Sequence, residues 1–291
     1  MKENKIWNDY LPEDMQEHWT VYECLKESED SSTFLVKESA TGILCVLKWG
    51  RNRQTEFLRN EMEIMKKMAD RKLSGIPKAY RIFEENGEVY LVREYIEGMS
   101  LAQMVLQKGG ISEAEICRIS RKICQTAEQF QNPDEPMIHR DIKPENIVVT
   151  PGGEVVFIDF GTMRSYKKDG SHDTFVVGTR GTAAPEQYGY TQTDQRTDVY
   201  AIGQTMLYMV SESYEMNQLS ECAVSRRMKK IIEKACSFEP DKRYGDAAQL
   251  RRAVEKCQAN NRKKVYKKSR RSLWTDCSRL YTGNFFPRMA Q

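Results

Sequence analysis

No apolar run in the 291 residues approaches the length needed to cross a bilayer; the longest candidate is the interrupted YAIGQTMLYMV from Tyr200 to Val210. The opening MKENKIWNDY lacks the apolar core of a signal peptide, so a soluble, cytoplasmic protein is expected. Eight cysteines are present, but no CxxC pair. Cys45, Cys117 and Cys124 sit inside apolar segments, which points to buried thiols and away from a structural zinc site or a disulfide framework. Internal repeats are also absent. Glycine is missing from the turn KESEDSSTFLVKE, Lys26 to Glu38, which joins two apolar-patterned segments through acids and hydroxyls.

What is there suffices for a core. The chain is 40% hydrophobic, enough for one large domain or two small ones. A net charge of +3 conceals an asymmetry: RKKVYKKSRR, residues 262 to 271, carries +7 and the residues after it +1, leaving −5 for residues 1 to 261.

The first third reads as strands around one helix. TVYECL, TFLVK and ILCVLKW are β-branched or aromatic runs, the last two joined by ESATG, which has hairpin composition. FLRNEMEIMKKM places Leu58, Met62, Met65 and Met68 on one helical face, and the strands KAYRIF and VYLVREY follow around ENGE. From Ser100 helices take over. ISEAEICRISRKICQTAEQF opens with a capping-box pattern, Ser112 and Glu115, and repeats apolar residues at Ile116, Ile119, Ile123, Ala127 and Phe130. A short hairpin, NIVVTPGGEVVFIDF, comes next, then helical segments near Asp198 to Val210, Ser225 to Cys236 and Asp246 to Cys257.

The segment MIHRDIKPENIVV sets His139, Arg140, Asp141, Lys143 and Asn146 just before that hairpin, whose far strand ends in Asp159-Phe160-Gly161. In this order the residues resemble the catalytic loop and metal-binding turn of the eukaryotic-like (Hanks-type) protein kinases. Gly178-Thr179 and Ala184-Pro185-Glu186 resemble the end of an activation segment, and CVLK puts Lys48 at the end of a third strand. The resemblance covers residues 20 to about 258, and IDFGTMR and GTRGTAAPEQYG look most like bacterial members.

The resemblance implies an α+β bilobal kinase fold: a small β-sheet lobe with one helix over 20–95 and a larger, mainly helical lobe over 96–258. Residues 1–19 would be an N-terminal extension and 259–291 a basic and aromatic tail. It implies ATP and Mg²⁺, with Mn²⁺ as a substitute, and proteins with Ser/Thr hydroxyls as acceptors, the enzyme itself among them. Lys48 would hold the α- and β-phosphates, fixed by Glu61 on the helix, with Glu56 as the alternative. Asp141 would orient the acceptor hydroxyl and take its proton, Lys143 would neutralise the γ-phosphate, and Thr179 would bridge the two. Asn146 and Asp159 supply hard oxygen ligands for the metal, and Gly161 would permit the turn's backbone geometry. His139 and Phe160 would pack beneath the site, and Glu186 would pair with Arg243. Arg140 and Arg164 would clamp a phosphate on the activation segment, with Thr174 as acceptor and Ser171 and Ser165 behind it.

The nucleotide contacts implied are Lys48, Ser28, Ser31, Val46, Glu94, Ile96 and Val148. Here the chain departs from the family: the three loop-glycine positions fall on Lys26, Ser28 and Ser31. Glu27, Glu29 and Asp30 would repel phosphates if they pointed inward. Val46 stands where alanine is usual, and Arg93 where an apolar side chain is common; a buried arginine must find a carboxylate or reach water. Two readings follow, an active Ser/Thr kinase, or a pseudokinase that keeps the fold as a binding module. The 262–271 stretch, with Trp274, Tyr281, Phe285 and Phe286 after it, suits an acidic lipid surface at the inner membrane face better than nucleic acid, or else a solvated tail.

Overall fold

The computed structural model describes residues 11–132, 134–166, 178–179, 181–189 and 192–259. A short helix, α1 (Glu13–His18), leads into β1 (Trp19–Glu27), β2 (Ser31–Glu38) and β3 (Leu44–Gly50). Helix α2 (Gln54–Asp70) follows, then β4 (Ala79–Glu85) and β5 (Glu88–Glu94). The five strands form one antiparallel sheet in the order β1-β2-β3-β5-β4.

The period-2 pattern decides what each face of this sheet does. Phe34, Val36, Cys45, Leu47, Tyr90 and Val92 point to one side, where they bury Leu11, Met15 and Trp19. The segment expected as an extension before residue 20 therefore packs, from Leu11 on, as part of the small lobe's core. Val89 and Leu91 point to the other side and pack on Leu58 and Met62 of α2. Met65 and Met68 of the same helical face reach the core of the large lobe. One stripe of α2 thus contacts both lobes.

The large lobe begins at β6 (Met99–Ser100), α3 (Leu101–Lys108) and α4 (Glu113–Phe130). Ser112 caps α4 by accepting the Glu115 N–H at 3.3 Å, but the Glu115 carboxylate pairs with Lys108 Nζ at 2.9 Å. The capping box predicted from the spacing is therefore only half made, because an oppositely charged side chain lies within reach. β7 (Met137–Ile138), β8 (Ile147–Val149), β9 (Val155–Phe157) and β10 (Arg164–Ser165) are short strands that frame the loops between them. Helices α5 (Gln195–Ser211), α6 (Arg226–Ala235) and α7 (247–259) complete the lobe. The predicted α4 stripe is fully buried against Val199, Ile202 and Met206 of α5.

Between the lobes, the chain crosses β8 at Gly98. A Cβ on Gly98 would lie 2.6 Å from the Val149 carbonyl and 2.7 Å from a Val148 methyl, so only glycine fits at this crossing. No helix of the described residues is long and apolar enough to cross a membrane.

Candidate active site

The cleft between the lobes collects the charged residues. Strand β3 delivers Lys48 and the inner stripe of α2 delivers Glu61, and their side chains meet at 2.5 Å with the carboxylate 1% exposed. Glu56 lies on the exposed face of α2, so of the two carboxylates it is Glu61 that meets Lys48. Lys48 Nζ also stands 3.3 Å from Asp159 Oδ1. Burial works against its charge, but Asp159 and Glu61 outweigh that and hold its pKa above the ordinary lysine value.

Asp159 follows β9. Burial alone would raise its pKa, yet Lys48 and the Gly161 N–H, 3.3 Å from Oδ1, bring it down to about 2. Gly161 itself has no positive φ. The reason for glycine is proximity: a Cβ there would sit 3.2 Å from the Phe57 Cβ of α2. This corrects the expectation of a special backbone conformation. Asn60, beside Glu61, donates to the Gly161 and Met163 carbonyls at 2.8 Å each, so α2 also holds the turn after Asp159.

The loop between β7 and β8 presents Asp141, Lys143 and Asn146. Asn146 Nδ2 donates to Asp141 Oδ2 at 2.9 Å and to its backbone carbonyl at 3.1 Å. Lys143 Nζ is 2.8 Å from Asp141 Oδ2, and Thr179 links the pair, accepting from Lys143 at 2.5 Å and donating to Asp141 Oδ1 at 2.8 Å. Arg140 adopts φ +68°, a left-handed conformation that costs an arginine about 1 to 2 kcal/mol. Three contacts hold it there. Asp198 of α5 accepts the His139 and Arg140 N–H groups at 3.0 Å each, and Gln187 Nε2 donates to the Arg140 carbonyl at 2.7 Å. Burial pushes the Asp198 pKa up to about 6, against the two N–H bonds that favour the carboxylate.

His139 is buried among Phe130, Phe157 and Phe160, with ring centroids 5.4 to 6.2 Å away. Burial lowers its pKa to about 4, so the neutral imidazole packs beneath the loop. Glu186 and Arg243 form a bidentate pair at 2.7 and 2.8 Å, with side chains 5% and 0% exposed.

The residues expected to meet a nucleotide lie on elements of both lobes. Val46 is buried on β3 and Val148 on β8; Glu94 ends β5 and Ile96 follows it. Ser28 and Ser31 close the β1–β2 hairpin, where their hydroxyls bond each other at 2.8 Å and Ser28 Oγ donates to the Ser31 carbonyl at 2.9 Å. Asp30 turns back to the β3–α2 loop, accepting from Arg51 Nε and Asn52 Nδ2 at 2.9 Å each. One of the three acids is thereby neutralised at the hairpin tip, and Glu29 is exposed. Arg140 Nε donates to the Thr162 carbonyl and Arg164 to Thr193. Thr174 and Ser171 lie outside the described residues, as does the 262–271 stretch.

Sequence reasoning missed the tethering contacts of Asp30, Asn60 and Gln187. Each is a polar residue bonded across a distance of 21 or more positions, with no local pattern to mark it.

The family model described as Protein kinase domain matches residues 20–264. Serine/threonine-protein kinase D of Synechocystis sp. is 29% identical over 226 residues, covering 70% of this chain and 43% of that protein. The probable serine/threonine-protein kinase CPE1738 of Clostridium perfringens is 35% identical over 147 residues, 50% of this chain and 21% of the relative. PknB of Mycolicibacterium smegmatis is 30% identical over 184 residues, 56% and 29% respectively. The chain spans less than half the length of these relatives.

Proposed function

The chain belongs to the protein kinase domain family, and from that premise we propose that it is a protein Ser/Thr kinase, transferring the γ-phosphate of ATP to Ser/Thr hydroxyls of proteins and of itself. The observation that carries the reading is the assembled charge geometry: Lys48 paired with Glu61, and Asp141 held by Asn146, Lys143 and Thr179. Phosphoryl transfer asks a protein chiefly for position and charge neutralisation, and this cleft supplies both. The proposed unit is 20–258, with the lobes meeting near residue 95.

The donor set fits a divalent cation. Asp159 is ionised at neutral pH, and Asn146 commits its amide nitrogen to Asp141, leaving Oδ1 as a second hard oxygen. Mg²⁺ or Mn²⁺ held there would neutralise charge on the β- and γ-phosphates. Lys48 binds the α- and β-phosphates as a point charge, and Glu61 fixes its direction. Asp141 would accept the proton of the acceptor hydroxyl as that oxygen bonds to the γ-phosphorus and the bond from phosphorus to the β–γ bridging oxygen breaks, ADP leaving with that oxygen; Lys143 would offset the charge on the transferring group. Thr179 keeps Lys143 and Asp141 in register.

A scaffold without turnover has one feature in its favour, the hairpin without glycines. The Ser28–Ser31 bonds give that hairpin a defined closure, and Asp30 is neutralised by Arg51, so the feature weakens phosphate binding without abolishing it. The basic 262–271 stretch is proposed to meet an anionic surface such as acidic lipid, with the kinase itself in the cytoplasm.

Nucleotide-dependent thermal shift with and without Mg²⁺, run beside a phosphotransfer assay on a generic basic protein, tests the enzyme reading. Stabilisation together with transfer is expected. Stabilisation without any turnover supports the scaffold.

A further inference from the structure

The chemistry proposed above leaves Arg93 unused. It stands on β5 opposite Val46, as Leu91 stands opposite Lys48. Alternation along β5 puts residues 89, 91 and 93 on the α2 side of the sheet, where Val89 and Leu91 pack. Val46, Lys48 and Arg93 therefore enter the same cleft. The Arg93 residue is 4% exposed. Its Nη1 donates to the Glu94 carbonyl at 3.0 Å, while its buried Nε has no hydrogen-bond partner. Glu61 and Asp159 lie near enough to favour its charge, which opposes the desolvation that lowers its pKa. A buried, unmet N–H on a cation is costly and marks a place for an acceptor.

The shape of a purine nucleotide says which acceptor. With its phosphates at Lys48 and Asp159, the base must run away from them, between Val46 above and Val148 below, toward the backbone at 94–96. The ribose leaves from N9, so the edge that reaches this backbone is the opposite one, which carries the substituent at position 6. At Glu94, the first carbonyl there, Arg93 already donates, and Nε is a second donor close by. Adenine brings an amino group to this place, so donors face donors. Guanine and hypoxanthine bring a carbonyl oxygen, the partner that arginine takes on guanine edges elsewhere.

We propose that Arg93 sets the base preference of this site, making it accept a 6-oxopurine nucleoside triphosphate such as GTP in preference to ATP. The inference rests on the kinase reading and deepens it. A hydrogen bond from a charged group, set against an unmet donor, corresponds to a preference of about ten- to hundredfold.

The test is direct binding of ATP, GTP and inosine triphosphate to the full chain with Mg²⁺, by calorimetry, for wild type, Arg93→Leu and Arg93→Met. GTP and inosine triphosphate should each bind wild type at least about tenfold more tightly than ATP. Because the inosine nucleotide lacks the 2-amino group, its agreement with GTP assigns the preference to position 6. Both substitutions should abolish or reverse the ratio; should neither fold, the wild-type ratios alone decide. ATP binding as tightly as GTP to wild type, or a ratio unchanged in a folded variant, overturns the inference and leaves the kinase reading intact. Binding of none of the three overturns both.

Discussion

Replacing Arg243 by methionine should be among the most damaging single changes in the large lobe. The guanidinium donates twice to Glu186, at 2.7 and 2.8 Å, and also to the carbonyls of Ser237, Phe238 and Arg196 at 2.8, 2.9 and 3.1 Å. It lies 4.9 Å from the Tyr200 ring centroid. Glu186 in turn accepts from Thr197 at 2.8 Å. Methionine fills much of the volume but strands a buried carboxylate, at a cost of about 3 to 5 kcal/mol. The three carbonyls add less, because their residues are exposed or half-buried and water replaces the donor. At about 2 to 4 °C per kcal/mol for a domain of this size, the melting temperature should fall by about 10 °C. Glu186→Gln should cost less, about 1 to 3 kcal/mol, since the amide keeps an acceptor and Arg243 keeps its carbonyls. Thermal and urea unfolding of both variants check the asymmetry. A loss under about 1 kcal/mol for Arg243→Met, or an equal loss for both, refutes the claim that a buried charge pair fastens this corner.

Thr179→Ala should lower turnover about ten- to hundredfold with little change in melting temperature, since it removes the hydroxyl joining Lys143 to Asp141; Thr179→Ser should restore most of it, and failure to do so would show that the methyl, not the hydroxyl, matters. Replacing Ser28 and Ser31 with glycine should tighten nucleotide binding by exposing the hairpin backbone, and unchanged affinity in calorimetry counts against that account. Acid stability should respond to His139: with its folded pKa near 4 against 6.5 unfolded, unfolding takes up a proton between those values, so stability falls as pH drops through that window. Asp198, raised from 3.8 to about 6, releases a proton on unfolding over its own window and opposes this trend. His139→Leu keeps only the second effect, and should lose less stability than wild type between pH 7 and 4.5 in denaturant titrations; parallel losses would contradict the assignment.

The candidate catalytic cluster was legible because its residues stand in the order and spacing of the motifs that the chain resembles. Asp141, Lys143 and Asn146 share one loop, and Lys48 lies near the end of β3, where alternation aims it inward. Glu61 was separable from Glu56 by the apolar stripe of α2, which Glu61 joins and Glu56 avoids. Long-range polar contacts were legible where the resemblance implied them, as for Glu186 with Arg243 and Thr179 with Lys143 and Asp141, and not elsewhere. Nothing near Asp30 in the sequence announces Arg51 and Asn52 as its partners, so the hairpin acids read as a threat to phosphate binding when one of them is a tether. Arg93 stood out as a misfit by type, but only the strand pairing shows that it shares a face with Val46 and Lys48. Helix α1 was read as outside the folded unit because the resemblance begins at residue 20; Met15 of that helix packs in the small-lobe core beside Trp19 of β1.

Transfer of labelled γ-phosphate to a generic basic protein, with ATP and with GTP in the presence of Mg²⁺ or Mn²⁺, tests the central claim most directly when wild type is run beside Asp141→Asn. Asparagine preserves the shape of Asp141 and its contact with Thr179 but cannot take the proton of the acceptor hydroxyl. The account predicts transfer by wild type and a loss of about 10²-fold or more in an Asp141→Asn protein that melts at the same temperature. No transfer by folded wild type with either nucleotide and either metal, or equal transfer by the variant, would contradict it.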